Sequence, residues 1–303
     1  MQVHICAGKT VARELLVVSD EIRLSCYVMT LNSERRLAAV LKSVLGVADE
    51  IVVVDSGSKD QTQEIASEHG ARFLCHAFVD FKRQRTFALE QCASLWVLEL
   101  DSDEVLSNEL RDRLLALKAS GFRQGASAPD AFGIRRQWFL LGREVRCFYP
   151  SRCPDLPIRL FRKDKVNYDQ SRGIHEALGG FQSSLPIEEP ILHFTCDSIE
   201  QMYAKVELYT TLAAREMAAN GERATTLKLL LYPWALWFRW YILLGGWRDG
   251  VLGLVHGRYV RDTVYQKYLK LKFDHCWPPD AAKAERHRGS NQLLETTEVK
   301  GKS

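Results

Sequence analysis

The sequence predicts a doubly wound, mostly parallel α/β fold with a helical C-terminal extension. Two observations carry the first part. Short β-branched runs alternate with helix-period segments between residues 24 and 118. One of them, EIVVVDSG (50–57), is apolar and β-branched, as a strand covered on both faces requires. The third observation is a change after Ser198, where the spacing becomes helical and the charge becomes basic.

The elements follow in order. LSCYVMT (24–30) is a strand, and Asn32 or Ser33 can cap the helix that places Leu37, Val40, Leu41 and Val44 on one face. EIVVVDSG (50–57) is a second strand. Asp60 opens a helix that Gly70 closes. ARFLCHA (71–77) is a third strand, 81–92 a helix, and LWVLELD (95–101) a fourth strand, before Ser107 caps a helix through Lys118. Right-handed crossovers between parallel strands put helices on both faces, and ligands then bind at the C-terminal strand edges. The residues there are Thr30-Leu31-Asn32, Asp55-Ser56-Gly57-Ser58 and Asp101-Ser102-Asp103-Glu104. From about 131 the strands become longer and more polar, and ILHFT (191–195) is a short one. Beyond Ser198, Tyr203, Val206, Tyr209 and Leu212 fall on one helical stripe.

Composition narrows the class. The 303 residues carry a formal net charge of only +3, which leaves no nucleic-acid footprint. The charge is uneven, however. Residues 223–272 hold nine Lys/Arg against Asp249 and Asp262, a net of +7, so an anionic surface is expected to meet this section. The eight cysteines include no CxxC and no zinc spacing. Cys26 and Cys75 lie in apolar strand runs and are expected as buried free thiols. Cys147 and Cys153 are the pair for which a disulfide is weighed. No apolar signal segment starts the sequence, so a reducing, cytoplasmic setting is expected.

The chemistry concentrates at one cluster. Asp101, Asp103 and Glu104 at a strand end repel one another by roughly 1–4 kcal/mol per pair, depending on local dielectric. A hard divalent cation, Mg²⁺ or Mn²⁺, would relieve that repulsion together with substrate phosphates. The plainer reading is a solvated helix start with acids favoured by the dipole. Asp55, ending a neighbouring strand, weighs toward a site. Its carboxylate can accept from a base N–H, and Gly57 permits close backbone approach; a plain β-α turn is the alternative. TLNSER stands where a dinucleotide-binding protein carries GxGxxG, which excludes that class.

VMTLNSE, ADEIVVVDSGSKDQTQEIA, FKRQRTFAL and WVLELDSDE together resemble the family 2 nucleotide-sugar glycosyltransferases of GT-A fold. The pattern is most similar to bacterial lipopolysaccharide-core glucosyltransferases, over about residues 23–272. The resemblance implies inverting transfer of a sugar, glucose by preference, from a UDP-sugar with Mg²⁺ or Mn²⁺. Its implied donor-binding residues are Thr30, Asn32, Glu34, Asp55, Gly57, Arg85, Asp101 and Ser102. Asp55 would contact uracil, and Asp101 and Asp103 would be the metal pair. Two positions depart from the pattern: Thr86 where Asn is common and Lys59 where Thr is common. Gly173-Ile174-His175-Glu176 resembles the family's His-Glu motif, so Glu176 is the candidate base and His175 an orienting group. His193 also matches a family histidine, although a satisfied core role is the default for a histidine in an apolar strand.

Residues 229–244 (LLLYPWALWFRWYILL) are the most apolar stretch. A span needs about 20 apolar residues, and Arg239 interrupts the run. Trp- and Tyr-rich faces beside basic residues suit a membrane interface, with burial against the catalytic domain as the alternative. The expected organisation is an extension at 1–22, a GT-A catalytic domain at 23–197, a basic, membrane-associated helical region at 198–278 and a polar, disordered tail at 279–303. The expected partners are a UDP-sugar donor, a lipid-linked or lipopolysaccharide-core acceptor and an anionic membrane, with no nucleic acid. Peripheral or monotopic placement at the inner face of the plasma membrane follows. A metal-dependent nucleotidyltransferase and an inactive nucleotide-sugar-binding membrane protein are the competing readings.

Overall fold

The computed structural model describes residues 24–125, 127–146, 148, 154–168 and 178–273. The expected extension at 1–22, His175, Glu176, Cys147, Cys153 and the tail lie outside them. The alternating half runs β1 (Leu24–Thr30), α1 (Glu34–Val44), β2 (Glu50–Asp55), α2 (Thr62–Glu68), β3 (Arg72–Cys75), α3 (Phe81–Gln91) and β4 (Trp96–Asp101). It continues through β5 (Glu104–Leu106) and α4 (Asn108–Ala119). The second half adds β6 (Ala131–Leu140), β7 (Arg143–Val145), β8 (Ile158–Arg162), β9 (Asn167–Tyr168), β10 (Leu178–Gly179) and β11 (Ser184–Cys196). Three helices follow: α5 (Ile199–Ala219), α6 (Thr226–Phe238) and α7 (Gly250–Phe273).

One sheet takes the order β3-β2-β1-β4-β8-β6-β11-β5, with β7 pairing antiparallel to the C-terminal end of β6 off this path. The first four strands are mutually parallel, as their short helical crossovers require. Beyond β4 the directions mix: β8 is antiparallel to both β4 and β6, β6 and β11 run parallel, and β5 closes antiparallel on β11. Register decides the site. Thr30 lies opposite Asp55, and Met29 opposite Asp101, so the C-terminal ends of β1, β2 and β4 are level.

Side chains alternate between the two faces. Leu24, Cys26 and Val28 face α1, α2 and α4, burying Leu37, Leu41, Ala66, Leu110 and Leu114. Tyr27, Val52, Val54 and Val97 face α3 through Ala88 and Leu89. Burial of this apolar surface, at about 25 cal/mol per Å², holds the layers together. Ser107 caps α4 by accepting from the Leu110 amide, as its position before the apolar run predicts.

Several expectations change. The strand containing ILHFT is 13 residues long, and a register shift between Ile187 and Ile191 takes Pro190, which cannot donate to a ladder, out of the pairing. On α5 the buried stripe is Met202, Val206, Thr210 and Ala214, while Tyr203, Tyr209 and Leu212 are exposed. Thr210 is tolerated in that stripe because its hydroxyl donates to the Val206 carbonyl. Cys75 is exposed, because β3 is the edge strand; Cys26 is buried.

The three C-terminal helices share a core of Ala214, Leu229, Val264, Tyr268 and Leu271. The run 229–244 is not one continuous α-helix: α6 passes into a π-helical turn at Arg239–Leu243 and then a tight turn at Gly245. Glycines let α7 press on this turn. A Cβ on Gly253 would stand 2.1 Å from the Gly246 carbonyl oxygen, and one on Gly257 2.9 Å from the Trp237 ring nitrogen. Stacked rings join sheet to helices: Trp138 on Phe148 at 5.2 Å, and Phe148 on His256 at 4.4 Å.

Candidate active site

Three loops meet at the level strand edge. The β2–α2 turn is organised by Asp55, which is 1% exposed. One of its oxygens accepts from the Thr30 and Ser58 hydroxyls, the other from the amides of Gly57 and Ser58. Gly57 adopts φ +103°, a conformation that side chains disfavour. The β1–α1 loop is stitched to this turn. The Asn32 amide donates to Ser58 and its side-chain oxygen accepts from the Lys59 amide. Glu34 accepts from the Gln61 amide, while Asp60 accepts from the Glu34 amide. Ser33 and Ser102 hydroxyls lie 2.8 Å apart, joining the third loop. Thr30, Asn32, Glu34, Asp55, Gly57 and Ser102, far apart in sequence, thus form one rim.

Period two puts Glu99 and Asp101 of β4 on the same face as Arg85 of α3. Arg85 lies 3.0 Å from Glu99 and 3.6 Å from Asp101. Glu99 is buried and also accepts from the hydroxyls of Tyr27 and Tyr168, each at 2.7 Å. Burial would raise its carboxyl, yet Arg85 and Arg159 lower it below the usual range. Glu104 is wholly buried, with its carboxylate on Arg159, Arg136 and His193. Burial opposes ionisation there too, but Arg159 and Arg136 hold the carboxyl well below its ordinary value.

Asp103 faces the other way. Its Oδ2 lies 3.5 Å from His193 Nε2 and 3.7 Å from Lys205 Nζ of α5. Burial would raise this carboxyl, and His193 with Lys205 brings it below its ordinary value. His193 answers in kind. Burial would lower its imidazole, but Asp103 and Glu104 push it up to about 9. Its ring stacks on Trp138 at 4.4 Å. His193 is therefore a satisfied buried histidine, and its partners are the acidic cluster itself.

This changes the account of the cluster. The repulsion among Asp101, Asp103 and Glu104 is met by Arg85, Arg136, Arg159, His193 and Lys205 rather than requiring a bound cation. Among the described residues no three His, Cys, Asp or Glu side chains gather as a metal cage. Asp101 and Asp103 nevertheless keep 28% and 26% of their side chains exposed, whereas Glu99 and Glu104 are sealed at 2% and 0%. Magnesium-type ions bind through one or two carboxylates, with phosphates and waters completing the shell. Asp101 and Asp103 fit that demand in company with a diphosphate. Sequence reasoning missed Arg136, Arg159, Lys205 and Gln84; the last is buried and donates to Ser56. One signal was present: an acid at Glu99 inside an apolar strand needs a buried cationic partner.

The family model and the curated relatives agree on one class. Residues 25–144 match the family described as Glycosyl transferase family 2. A lipopolysaccharide core biosynthesis glycosyltransferase, LpsC of Rhizobium meliloti (strain 1021), is 29% identical over 247 residues, covering 78% of this chain and 86% of that protein. An uncharacterized glycosyltransferase of Rickettsia typhi is 28% identical, covering 76% and 82%. Among solved structures, S. aureus TarS 1-349 in complex with UDP-GlcNAc covers 84% of this chain and 91% of its own at 14% identity, with a TM-score of 0.43. Mannosyltransferase PcManGT from Pyrobaculum calidifontis covers 83% and 87% at 13% identity, with a TM-score of 0.48.

Proposed function

We propose that this chain, a glycosyltransferase whose residues 25–144 match Glycosyl transferase family 2, inverts the anomeric centre of a UDP-sugar, glucose by preference, as it transfers that sugar to a lipopolysaccharide-core or other lipid-linked saccharide. The single observation that carries this is the level strand edge. A nucleoside rim (Thr30, Asn32, Glu34, Asp55, Gly57, Ser102) stands beside the two part-exposed carboxylates, Asp101 and Asp103.

Geometry supports the roles of the described residues, and the His-Glu motif, which lies outside them, supports those of His175 and Glu176. Asp55 spends both oxygens on its own turn, so it acts on uracil chiefly by shaping the Ser56–Ser58 backbone and keeping the pocket rigid. Arg85, beside Asp101, supplies positive charge for the diphosphate. Asp101 and Asp103 would hold Mg²⁺ or Mn²⁺, which when bound supplies charge neutralisation for the departing nucleoside diphosphate. Glu176, with His175 orienting, takes the acceptor hydroxyl proton as that oxygen attacks the anomeric carbon from the face opposite the leaving group.

Residues 23–197 are the catalytic unit in this reading, and 198–278 bring it to the inner face of the plasma membrane. No helix among the described residues is long and apolar enough to cross a membrane. The outward side of α6 instead exposes Leu227, Leu230, Leu231, Trp234 and Phe238, and the ridge continues through Leu243, Trp247 and Val251. Large exposed apolar patches of this kind mark interaction surfaces. Lys228, Arg239, Arg248 and Arg258 of the same section match an anionic bilayer. A panel of nucleotide sugars tests the donor reading. UDP-sugars are expected to raise the thermal midpoint in a divalent-cation-dependent way and to release UDP with acceptor. No shift and no release from any nucleotide sugar would sink it.

A further inference from the structure

Arg159 stands where the acids of β4 and β5 converge. It comes from β8, the antiparallel strand beside β4, and its side chain is 5% exposed. Nη1 donates to Glu99 at 2.6 Å, and Nη2 donates to Asp101 Oδ2 at 2.6 Å and to Glu104 Oε1 at 2.9 Å. The other end of Glu104 accepts from the Asp101 amide at 3.0 Å, closing the Asp101–Glu104 turn on itself. The Phe194 amide donates to the Asp103 carbonyl, pinning the middle of the turn to β11. One guanidinium therefore grips both ends of the turn that carries Asp103.

Its grip leaves a defined remainder. Asp101 gives Oδ2 to Arg159 and turns Oδ1 toward Arg85 at 3.6 Å, too far for a strong bond. Buried Glu99 and Glu104 are anchors, and part-exposed Asp101 and Asp103 are presented. Arginine suits this task because its planar fork fixes two directions at once; lysine supplies the same charge as a point on a flexible stem.

We propose that Arg159 is a positioning residue whose fork sets the pose of Asp101 and, through Glu104, of the turn bearing Asp103, so that both carboxylates are preset toward a nucleoside diphosphate and its divalent cation. This rests on the donor reading above. The role is exerted through the carboxylates, and Arg159 itself is too buried to touch the donor. Partners of this kind, standing behind metal ligands, typically change affinity 10–100-fold when altered.

The test uses the full chain and its Arg159→Lys variant. UDP binding is measured by calorimetry with Mn²⁺ and again with a chelator, beside a thermal melt. Arg159→Lys is expected to melt as a folded protein, to bind UDP 10–100-fold more weakly with Mn²⁺, and to bind it about as wild type does with chelator. Equal binding of the two proteins with Mn²⁺ overturns the proposal, as does an equal loss with and without metal, which marks general damage. Should Arg159→Lys fail to fold, Glu104→Gln carries the test: it loosens the same grip without adding bulk, and the same metal-selective loss is expected. Absence of UDP binding by the wild-type chain sinks the donor reading first, and the positioning role with it. Wild-type binding with an unaltered variant sinks the positioning role alone.

Discussion

His193 places Nδ1 3.2 Å from Glu104 and Nε2 3.5 Å from Asp103, so one imidazole joins the buried anchor of the acidic turn to its part-exposed carboxylate. The ring is raised to about 9 in the folded chain, against an ordinary value near 6.5. Its stabilising contribution is therefore complete below about pH 6.5 and is lost as pH rises through about 9. The thermal midpoint is expected to fall across that window, by the equivalent of about 3 kcal/mol at most. His193→Gln should flatten the profile. An equally steep decline in His193→Gln would assign it to other groups.

Glu176→Gln is expected to keep UDP-sugar binding and to lose turnover by roughly 10²–10⁴. Calorimetry and UDP-release rates measured on one preparation check this. Near-wild-type transfer would remove Glu176 from the base role.

Gly253→Ala tests the close contact between α7 and the turn before it. The added carbon would stand 2.1 Å from a backbone oxygen, which cannot swing away as a side chain could. Such overpacking costs about 1–3 kcal/mol. A melt several degrees lower is expected, whereas an unchanged midpoint would show that the helices reseat freely.

The apolar ridge makes a separable prediction. Leu231 and Trp234 are 58% and 55% exposed, so replacing both with Glu should leave folding intact. Sedimentation with anionic liposomes at low salt should fall by about tenfold or more, given roughly 1.5–3 kcal/mol for each apolar side chain buried. Transfer to a detergent-free, water-soluble acceptor should persist. Undiminished liposome binding would move the docking surface elsewhere.

Asp55→Ala removes an acceptor that serves two amides and two hydroxyls at once. Each buried donor left unpaired costs about 1–3 kcal/mol, so the melt should drop and donor KM should rise before kcat falls. A donor KM equal to wild type would disconnect this turn from the nucleoside.

Much of the fold could be read locally. The apolar runs at 24–30, 50–55 and 96–101, and the caps at Ser107 and Ser198, are signals within a few residues of what they specify. That the first four strands run parallel followed from their short helical crossovers. The rim was legible too, since Thr30, Asp55 and Asp101 each end a strand. Burial of the α5 stripe was not. Tyr209 and Leu212 match a helical period as well as Thr210 and Ala214 do, and only packing against α7 selects between them.

By itself, then, the sequence determined that strand-end acids and the loop residues beside them would lie along one edge of an α/β sheet. Only the tertiary structure decided what balances those acids. Arg159 lies 55 residues from Glu104, and His193 lies 89 residues from it. Their meeting depends on β8 docking beside β4 and on β5 pairing with β11, not with the strand it follows. The physical reason is that periodicity encodes which face a residue takes, while charge pairing between distant segments is set by strand order, to which a local pattern is blind.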